Sequence, residues 1–310
     1  MYCKVTYCEK NSKLPYVKFE FEKFQSRLPY VSIIVATRGR KALQRCLQSL
    51  KMLAYPKYEV IIVYDAYRKG PGYCRNCALK LAKGDLIHFI DDDAIAEPDN
   101  LLNLVNSLSS LNKRNNAVGG VQGVLITHRG SRIFNKVSFT QFGLNLMYDP
   151  SLQETEIITT CNALLPKSVL EEVGGFDERI SYQYDDVDLS LKIRSAGFKL
   201  YTALNAKVHH EGVAEKGEIP DKQFHASKNL ILLYYKWVSL RSALFLGAFL
   251  FLANAMLTFT ATLLLITKVL KTSNPIFGRV GLPHIRLQQA LGALYGLIIL
   301  KSVAKGRFKA

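Results

Sequence analysis

Three consecutive aspartates, Asp91, Asp92 and Asp93, directly follow a largely apolar run at 86–90. Carboxylates this close repel one another unless a cation shares them. Side chains alternate along an extended chain, so Asp91 and Asp93 lie on one side and could hold Mg²⁺ or Mn²⁺. Such a metal could bridge two phosphate oxygens of a nucleotide, leaving Asp92 to reach a ribose hydroxyl. A solvated acidic loop or a helix cap is the alternative that needs no ligand.

A second acidic cluster contains Asp185 and Asp186, followed by apolar residues at helical spacing, Leu189 and Ile193. The two carboxylates therefore fall at the N-terminus of a helix, where the helix dipole favours negative charge. They could simply cap that helix. Alternatively, one of them could act as a general base that takes a proton from a sugar hydroxyl.

The elements that must position these groups alternate between strand and helix. Strands are expected at 30–37, 58–65 and 86–91, and helices near 40–53, after Gly70-Pro71-Gly72, and from Pro98 to about Leu111. This alternation predicts an α/β fold with a mainly parallel sheet flanked by helices. Thr37, Arg38 and Asp65 close the first two strands, so we expect them to meet the aspartates in a ligand crevice.

The second half of the chain is less regular. Strands are expected near 118–127, 157–165 and 198–209, the last ending in His209-His210, and helices at 166–173 and 186–196. We divide the chain into an N-terminal extension at 1–29 with no assigned structure, a catalytic domain at 30–225 and a helical membrane-associated region at 226–310. The first 30 residues contain no long apolar run, so we expect no secretory signal.

The C-terminal region is distinguished by charge and hydropathy. The whole chain carries +16, and its last 70 residues contain nine Lys or Arg and no acidic residue. Residues 242–267 contain no charge at all, and 26 residues are enough to cross a bilayer. Because basic residues flank this run, the pattern favours an anionic membrane surface as partner, and we expect no nucleic acid.

The arrangement of the C-terminal helices has two possible forms. A return pass through about 282–304 would make a membrane hairpin with both flanks in the cytosol, consistent with the positive-inside tendency. The same segment could instead lie in the interface, with Pro275 and Pro283 marking the break between the helices.

The six cysteines indicate a reducing compartment. Only Cys74 and Cys77 are at metal-ligand spacing, and no second Cys or His pair follows at zinc-ribbon distance. We therefore expect reduced structural thiols and a catalytic domain that faces the cytosol.

Several motifs, in order over about residues 30–212, resemble the family 2 glycosyltransferases, which are inverting enzymes of the GT-A fold. The matching segments are Ser32–Arg38, Val60–Asp65, Arg75-Asn76 before Lys83-Gly84-Asp85, Phe89–Asp93 before Pro98, Gly174–Glu178, and Asp185–Leu189 leading to Ala196-Gly197-Phe198. The resemblance implies a nucleotide-sugar donor and a divalent metal, Mg²⁺ or Mn²⁺.

The resemblance also implies a role for each matching residue. Asp91 and Asp93 would form the Asp-x-Asp metal site, joined by a histidine of the His209-His210 pair, for which we choose His209. Thr37, Arg38 and Asp65 would contact the nucleoside, and Arg75 would lie near the diphosphate. Asp186 matches the catalytic base, with the neighbouring Asp185 as the alternative.

The acceptor is inferred from the membrane tail, which suggests a lipid-linked or glycan acceptor. Two other functions remain open. A nucleotidyltransferase shares a metal-bound nucleotide, and Gly39-Arg40-Lys41 faintly resembles its basic loop. A non-catalytic, membrane-tethered module that binds sugar nucleotides is the second.

Overall fold

The computed structural model describes residues 2–4, 16–22, 28–114, 117–149, 154–211, 218–270 and 283–304. The chain forms two compact units. The first comprises Met1–Val137, Leu146–Ser181 and Asp185–Val213, and the second comprises Ser138–Asn145, Tyr182–Tyr184 and Ala214–Ala310.

Twelve strands lie within the described residues. They are β1 (Tyr2–Lys4), β2 (Tyr16–Glu22), β3 (Val31–Thr37), β4 (Lys57–Tyr64), β5 (Leu86–Asp91), β6 (Ala94–Ala96), β7 (Val118–Thr127), β8 (Gly130–Arg132), β9 (Lys136–Thr140), β10 (Gly143–Met147), β11 (Asn162–Pro166) and β12 (Lys199–His210). Ten of them form one sheet in the order β1-β2-β4-β3-β5-β11-β7-β12-β6, with β8 paired to β7, while β9 and β10 form a separate hairpin.

Eight helices lie within the described residues. The first unit contains α1 (Leu43–Lys51), α2 (Pro71–Leu79), α3 (Asn100–Asn112), α4 (Lys167–Glu172) and α5 (Asp185–Ser195). The second contains α6 (Glu218–Trp237), α7 (Leu240–Leu270) and α8 (Pro283–Ala304). The domain boundary that the sequence predicts at 225/226 falls inside α6, and the last segment of the second unit begins at Ala214.

The α/β fold is confirmed, and its sheet is mixed. β3 pairs parallel to both β4 and β5, because α1 and α2 each provide a crossover between successive strands. β11 runs antiparallel to both β5 and β7, and β7 pairs parallel to β12. Parallel pairing is therefore concentrated at β4-β3-β5, the three strands whose ends carry the predicted ligand-binding groups.

Two segments differ from the sequence prediction. The N-terminal extension, left unassigned, contributes β1 and β2, and β2 pairs antiparallel to β4 at the edge of the sheet. The strand predicted at 157–165 begins only at Asn162. Before Asn162, side chains rather than a neighbouring strand accept hydrogen bonds from the backbone. Ser190 Oγ accepts the Ile158 N–H at 3.0 Å, and Gln122 Oε1 accepts the Thr159 N–H at 3.0 Å.

Apolar side chains fill both faces of the sheet. Alternation along β3 sends Val31, Ile33 and Val35 to one face and Ile34 to the other. Helices α1 and α3 cover the first face, and α2, α4 and α5 cover the second. Because helices pack on both faces, the sheet is held in place between them, and the ends of its strands are held with it.

A polar cluster is buried within this core. His88, in the middle of β5, is fully buried, and its Nε2 lies 3.1 Å from Asn162 Oδ1. Asn162 in turn exchanges two hydrogen bonds with Asn100, at 3.0 and 3.1 Å. Burial lowers the pKa of His88 to about 4, against the opposing effect of the hydrogen bond to Asn162.

The second unit is built around three packed helices. Gln289 donates a 2.6 Å hydrogen bond to Gln223. A Cβ on Gly292 would meet the Phe224 carbonyl, and one on Gly296 would meet the Lys228 carbonyl. Residue numbers increase in the same direction along both helices at these contacts, so α8 runs parallel to α6. The two glycines of α8, four residues apart, allow the helices to approach closely.

Helix α7 runs in the opposite direction. Only two residues separate it from α6, and a Cβ on Gly247 would meet both Ile231 of α6 and Leu297 of α8. Among the described residues, one helix is long and apolar enough to cross a membrane, Leu240–Phe259, with a mean hydropathy of 1.9. Of the two prolines predicted to separate the helices, Pro283 opens α8 and Pro275 lies outside the described residues.

Candidate functional site

The carboxyl ends of β3, β4 and β5 meet at one edge of the sheet. In the parallel register Ala36 of β3 lies beside Asp91 of β5. Thr37 Oγ1 donates a 2.6 Å hydrogen bond to Asp92 Oδ2, and the Thr37 carbonyl accepts the Asp65 N–H at 2.8 Å. The structure therefore brings Thr37, Asp65 and the acidic triplet together, as the strand ends predict.

Arg40, which the sequence analysis did not include among the site residues, holds two of the three aspartates. Its Nε donates to Asp92 Oδ2 at 3.2 Å, its Nη2 also bonds Asp92, and its Nη1 lies 3.4 Å from Asp93 Oδ2. Burial raises the pKa of Asp92, and the bonds from Arg40 and Thr37 act in the opposite direction. The available signal was a basic residue just beyond Gly39, where the chain leaves β3.

Asp65 shapes the loop after β4. Its Oδ1 accepts the Lys69 N–H at 2.7 Å and its Oδ2 accepts the Gly70 N–H at 3.0 Å. Gly70 has φ +97° and directly precedes α2, so its backbone favours glycine. Arg38 Nε lies 3.9 Å from Asp65 Oδ2. The residues predicted to contact the nucleoside therefore form two pairs. Thr37 is bonded to Asp92, and Arg38 lies beside Asp65.

Arg75 of α2 connects the acidic triplet with the second acidic cluster. Nη1 donates to Asp185 Oδ2 at 2.6 Å, and Nη2 donates to Asp91 Oδ1 at 2.9 Å. The guanidinium is 5.9 Å from the Phe89 ring centroid and 5.5 Å from that of Phe176. The residue predicted to approach a diphosphate is therefore buried and bonded to two carboxylates.

Asp185 and Asp186 open α5, as predicted. Leu189 and Ile193 are buried beneath them, which fixes the helix against the sheet. Asp185 is buried against Arg75, whereas Asp186 is half-buried and accepts the Val187 N–H at 2.8 Å. Burial, and then the negative charge of Asp185, raise the pKa of Asp186 to about 7. A carboxylate with such a pKa is matched to proton transfer near neutral pH.

Of the paired histidines at the end of β12, His210 faces the aspartates. Its Nε2 lies 3.2 Å from Asp93 Oδ1. His209, predicted as the metal ligand, lies instead 3.2 Å from Glu97 Oε1 at the surface. The physical reason is strand alternation, which sends neighbouring side chains to opposite faces of the sheet. The geometry thus favours His210 over His209 as the candidate ligand of the pair.

The groups around His210 suit a divalent cation. Ligand atoms of Asp91, His210 and Cys161 all lie within 4.8 Å of one another. Hydrogen bonding to Asp93 raises the pKa of His210. The pKa of Asp93 is lowered although its burial acts to raise it, because His210 and Arg40 both stabilise the ionised carboxylate. Carboxylate oxygens with one imidazole are ligands that Mn²⁺ accepts, so the donor set fits such an ion.

A hollow of about 550 Å³ opens beside these residues. It is lined by Arg45, Ile95, Ile126, Thr127, His128, His209, His210 and Glu211. Because His210 belongs both to this hollow and to the acidic cluster, a molecule held in the hollow would lie next to the candidate site.

Comparison with known proteins gives the family directly. Residues 69–229, just over half of the chain, match the model of "Glycosyltransferase like family 2". The O-antigen biosynthesis protein RfbC of Myxococcus xanthus is 25% identical over 245 residues, which cover 64% of this chain and 19% of that protein. The uncharacterized glycosyltransferase RP339 of Rickettsia prowazekii (strain Madrid E) is 22% identical over 217 residues, covering 58% of this chain and 64% of that protein. The chain thus spans less than two thirds of either relative.

Solved structures give the same fold. The mannosyltransferase PcManGT from Pyrobaculum calidifontis, in complex with GDP-Man and Mn²⁺, has a TM-score of 0.50 and 19% identity, with 88% of this chain and 87% of that chain covered. GalNAc-T7 with UDP, GalNAc and Mn²⁺ has a TM-score of 0.51 and 12% identity, with 69% and 49% covered. The sequence-based prediction of a GT-A fold is confirmed, and the chain belongs to glycosyltransferase family 2.

Proposed function

We propose that this protein is a metal-dependent, inverting glycosyltransferase that moves a sugar from a nucleotide-sugar donor to a hydroxyl of an acceptor. The observation that carries the proposal is the bridge made by Arg75 between Asp91 and Asp185. Through this bridge, the carboxylates suited to a metal and those suited to a base belong to a single site. Binding a nucleotide alone does not call for a second carboxylate cluster.

Asp91, Asp93 and His210 would hold the metal. Mg²⁺ or Mn²⁺ bound there would neutralise charge on the departing diphosphate. The structural neighbours PcManGT and GalNAc-T7 both carry Mn²⁺ in their complexes, which supports Mn²⁺ as the first ion to test. Arg40 also bonds Asp92, so it would keep a carboxylate partner in the loop after β3 if an ion took Asp93.

The nucleoside would lie over the ends of β3 and β4. Thr37, Arg38, Asp65 and Asp92 offer hydroxyl, guanidinium and carboxylate groups at that edge, where an open α/β sheet binds its ligands. Arg38 and Arg40 follow closely after β3 in the sequence. Their positive charges would balance the negative charge of phosphate oxygens.

Asp186 would be the base. In an inverting displacement the acceptor hydroxyl attacks C1 of the sugar from the face opposite the departing nucleoside diphosphate. As the new C–O bond forms, the hydroxyl proton passes to the Asp186 carboxylate, and the electron pair of the broken bond leaves with the diphosphate. Asp185 is neutralised by Arg75, so it is a positioning residue and Asp186 is the carboxylate left for the proton.

The acceptor is proposed to be lipid-linked or a glycan held at a membrane. The apolar segment Leu240–Phe259 supports association with a membrane. The last 70 residues contain nine Lys or Arg and no acidic residue, which favours a membrane with an anionic surface. The relative RfbC is named as an O-antigen biosynthesis protein, which is consistent with a glycan acceptor. Antiparallel α7 and α8 suit a hairpin with both flanks on the cytosolic side, where soluble nucleotide sugars are available.

Product analysis tests the proposal. The full-length protein is incubated with a panel of nucleotide sugars, Mn²⁺ and membrane lipid, and the released phosphates are identified. We expect nucleoside diphosphate together with a glycosylated product, and both should disappear when the metal is chelated. Release of pyrophosphate would indicate nucleotidyl transfer instead, and thermal stabilisation by a nucleotide sugar without any turnover would indicate a binding module.

A further inference from the structure

A cysteine that local sequence signals do not single out lies against the metal-binding groups. Cys161, in the turn before β11, is 6% exposed. Its Sγ, an oxygen of Asp91 and a ring nitrogen of His210 all lie within 4.8 Å of one another. These residues come from three separate parts of the chain, and the antiparallel pairing of β11 with β5, which sets Asn162 opposite Ile90, brings the first two together.

Sulfur changes which ion the site prefers. Mg²⁺ takes oxygen ligands and gains nothing from a thiol, whereas a thiolate, an imidazole and a carboxylate together are typical of Zn²⁺ and related ions. With metal–ligand bonds of about 2.0–2.3 Å, the ligands of a tetrahedral site lie roughly 3.5 Å apart. Since the ligand atoms lie at most 4.8 Å apart, each pair would have to approach by roughly 1.3 Å at most.

We propose that Asp91, Cys161 and His210 form a binding site for a thiophilic divalent cation of the Zn²⁺ and Cd²⁺ class. Binding forms a metal–sulfur bond, and the thiol proton is released to the buffer. The fourth position of the ion is left for water. This proposal goes beyond glycosyl transfer, since it requires neither donor nor acceptor.

The site shares Asp91 and His210 with the proposed position of Mn²⁺. Both ions cannot use the same carboxylate and imidazole, so a thiophilic ion and Mn²⁺ should compete. Arg75 and Asp93 flank the site, bonded to Asp91 and to His210 respectively, and each would orient its partner as an outer-shell group does at a metal centre.

Cd²⁺ titration of the full chain tests the proposal, because cadmium–thiolate bonds absorb in the ultraviolet. We expect a saturable absorption band in the difference between the wild-type and Cys161→Ser spectra. The other five cysteines are present in both proteins, so the difference spectrum reports Cys161 alone. Far-ultraviolet circular dichroism confirms that the variants are folded.

Matched variants then test the ligand set. His210→Ala keeps every sulfur, and we expect it to weaken Cd²⁺ binding at least 10-fold, whereas His209→Ala and Cys77→Ser should leave the affinity unchanged. Excess Mn²⁺ should raise the apparent Kd for Cd²⁺ in proportion to its concentration. A difference spectrum without this band, or an affinity that His210→Ala does not alter, would overturn the site. The Cd²⁺ titration contains no nucleotide sugar, so a negative result would leave the proposed transferase function unaffected. A negative transferase assay would likewise leave the proposed cation site unaffected.

Discussion

Arg75 and Asp185, separated by 110 positions in the sequence, form a buried ion pair with 2.6 Å between Nη1 and Oδ2. The same guanidinium bonds Asp91, so one cation neutralises the carboxylate beside the proposed base and a carboxylate of the proposed metal site. Removing one partner of a buried pair is costly, since the other charge remains away from water.

Arg75→Met should therefore destabilise the fold. We expect a loss of about 3 kcal/mol in the free energy of unfolding, measured by chemical denaturation. Arg45→Met is the matched control, because Arg45 is also paired with a carboxylate, Glu211, but its side chain is 58% exposed. Such a surface pair contributes roughly 1 kcal/mol or less. Equal losses in the two variants would show that the buried bridge has no special role.

The pH dependence of transfer should reflect Asp186. Its carboxyl group is protonated below its raised pKa and cannot accept a proton there, so kcat/KM should increase with pH and reach half its maximum near pH 7. Asp185→Asn removes a neighbouring negative charge that raises this pKa, and the rise should move to lower pH. A rate that is constant from pH 5 to pH 8 would contradict the assignment.

His88 should make the fold sensitive to acid. Its pKa is about 4 in the folded protein and near 6.5 when unfolded, so only the unfolded chain binds the proton between these values. Stability from this group is complete above pH 6.5 and is lost as pH falls toward 4, by about 2 kcal/mol at pH 5. His88→Gln should lose less stability than wild type between pH 7.5 and pH 5, and His128→Gln, at an exposed position, is the surface control. An identical loss in His88→Gln and wild type would rule out this role.

Helix α7 should anchor the protein through its exposed apolar side chains. Leu252 and Met256 are 65% and 70% exposed, and two residues of the first unit, Leu204 and Met52, match them at 61% and 70%. An aspartate in the centre of a membrane helix costs about 3 kcal/mol. The double variant Leu252→Asp/Met256→Asp should therefore move from alkali-washed membranes to the soluble fraction. The control double variant Leu204→Asp/Met52→Asp should stay with the membranes. Retention of the α7 variant in membranes would contradict insertion of this segment.

Much of the fold could be predicted from local pattern. Apolar runs that end in polar residues located β3, β4 and β5, and helical spacing at Leu189 and Ile193 located α5. These signals lie within short windows, where burial on one face dictates the residue type. The sequence therefore predicted which strand ends would meet and which acidic residues they would carry.

Long-range relationships could not be predicted in the same way. The partners of Arg75 and the position of Cys161 beside Asp91 depend on strand order and on pairing between distant segments. The choice between His209 and His210 depends on the phase of β12, and a one-residue shift in phase exchanges the two faces. Strand β1 has only three residues and so carries little pattern. In β2, by contrast, Val17, Phe19 and Phe21 alternate with charged residues, which is the pattern of a half-buried strand and was overlooked.

The central claim is that Asp186 removes the proton of the acceptor hydroxyl, and a comparison of Asp186→Asn with Asp185→Asn tests it most directly. Both variants are assayed at saturating metal and nucleotide sugar, with donor affinity measured separately. We predict that Asp186→Asn lowers kcat by about 10²-fold or more while the donor Kd changes little, because Asn keeps the size but cannot accept the proton. Asp185→Asn should retain more activity and lose stability instead. Near-normal turnover in Asp186→Asn, with turnover abolished in Asp185→Asn, would contradict the account.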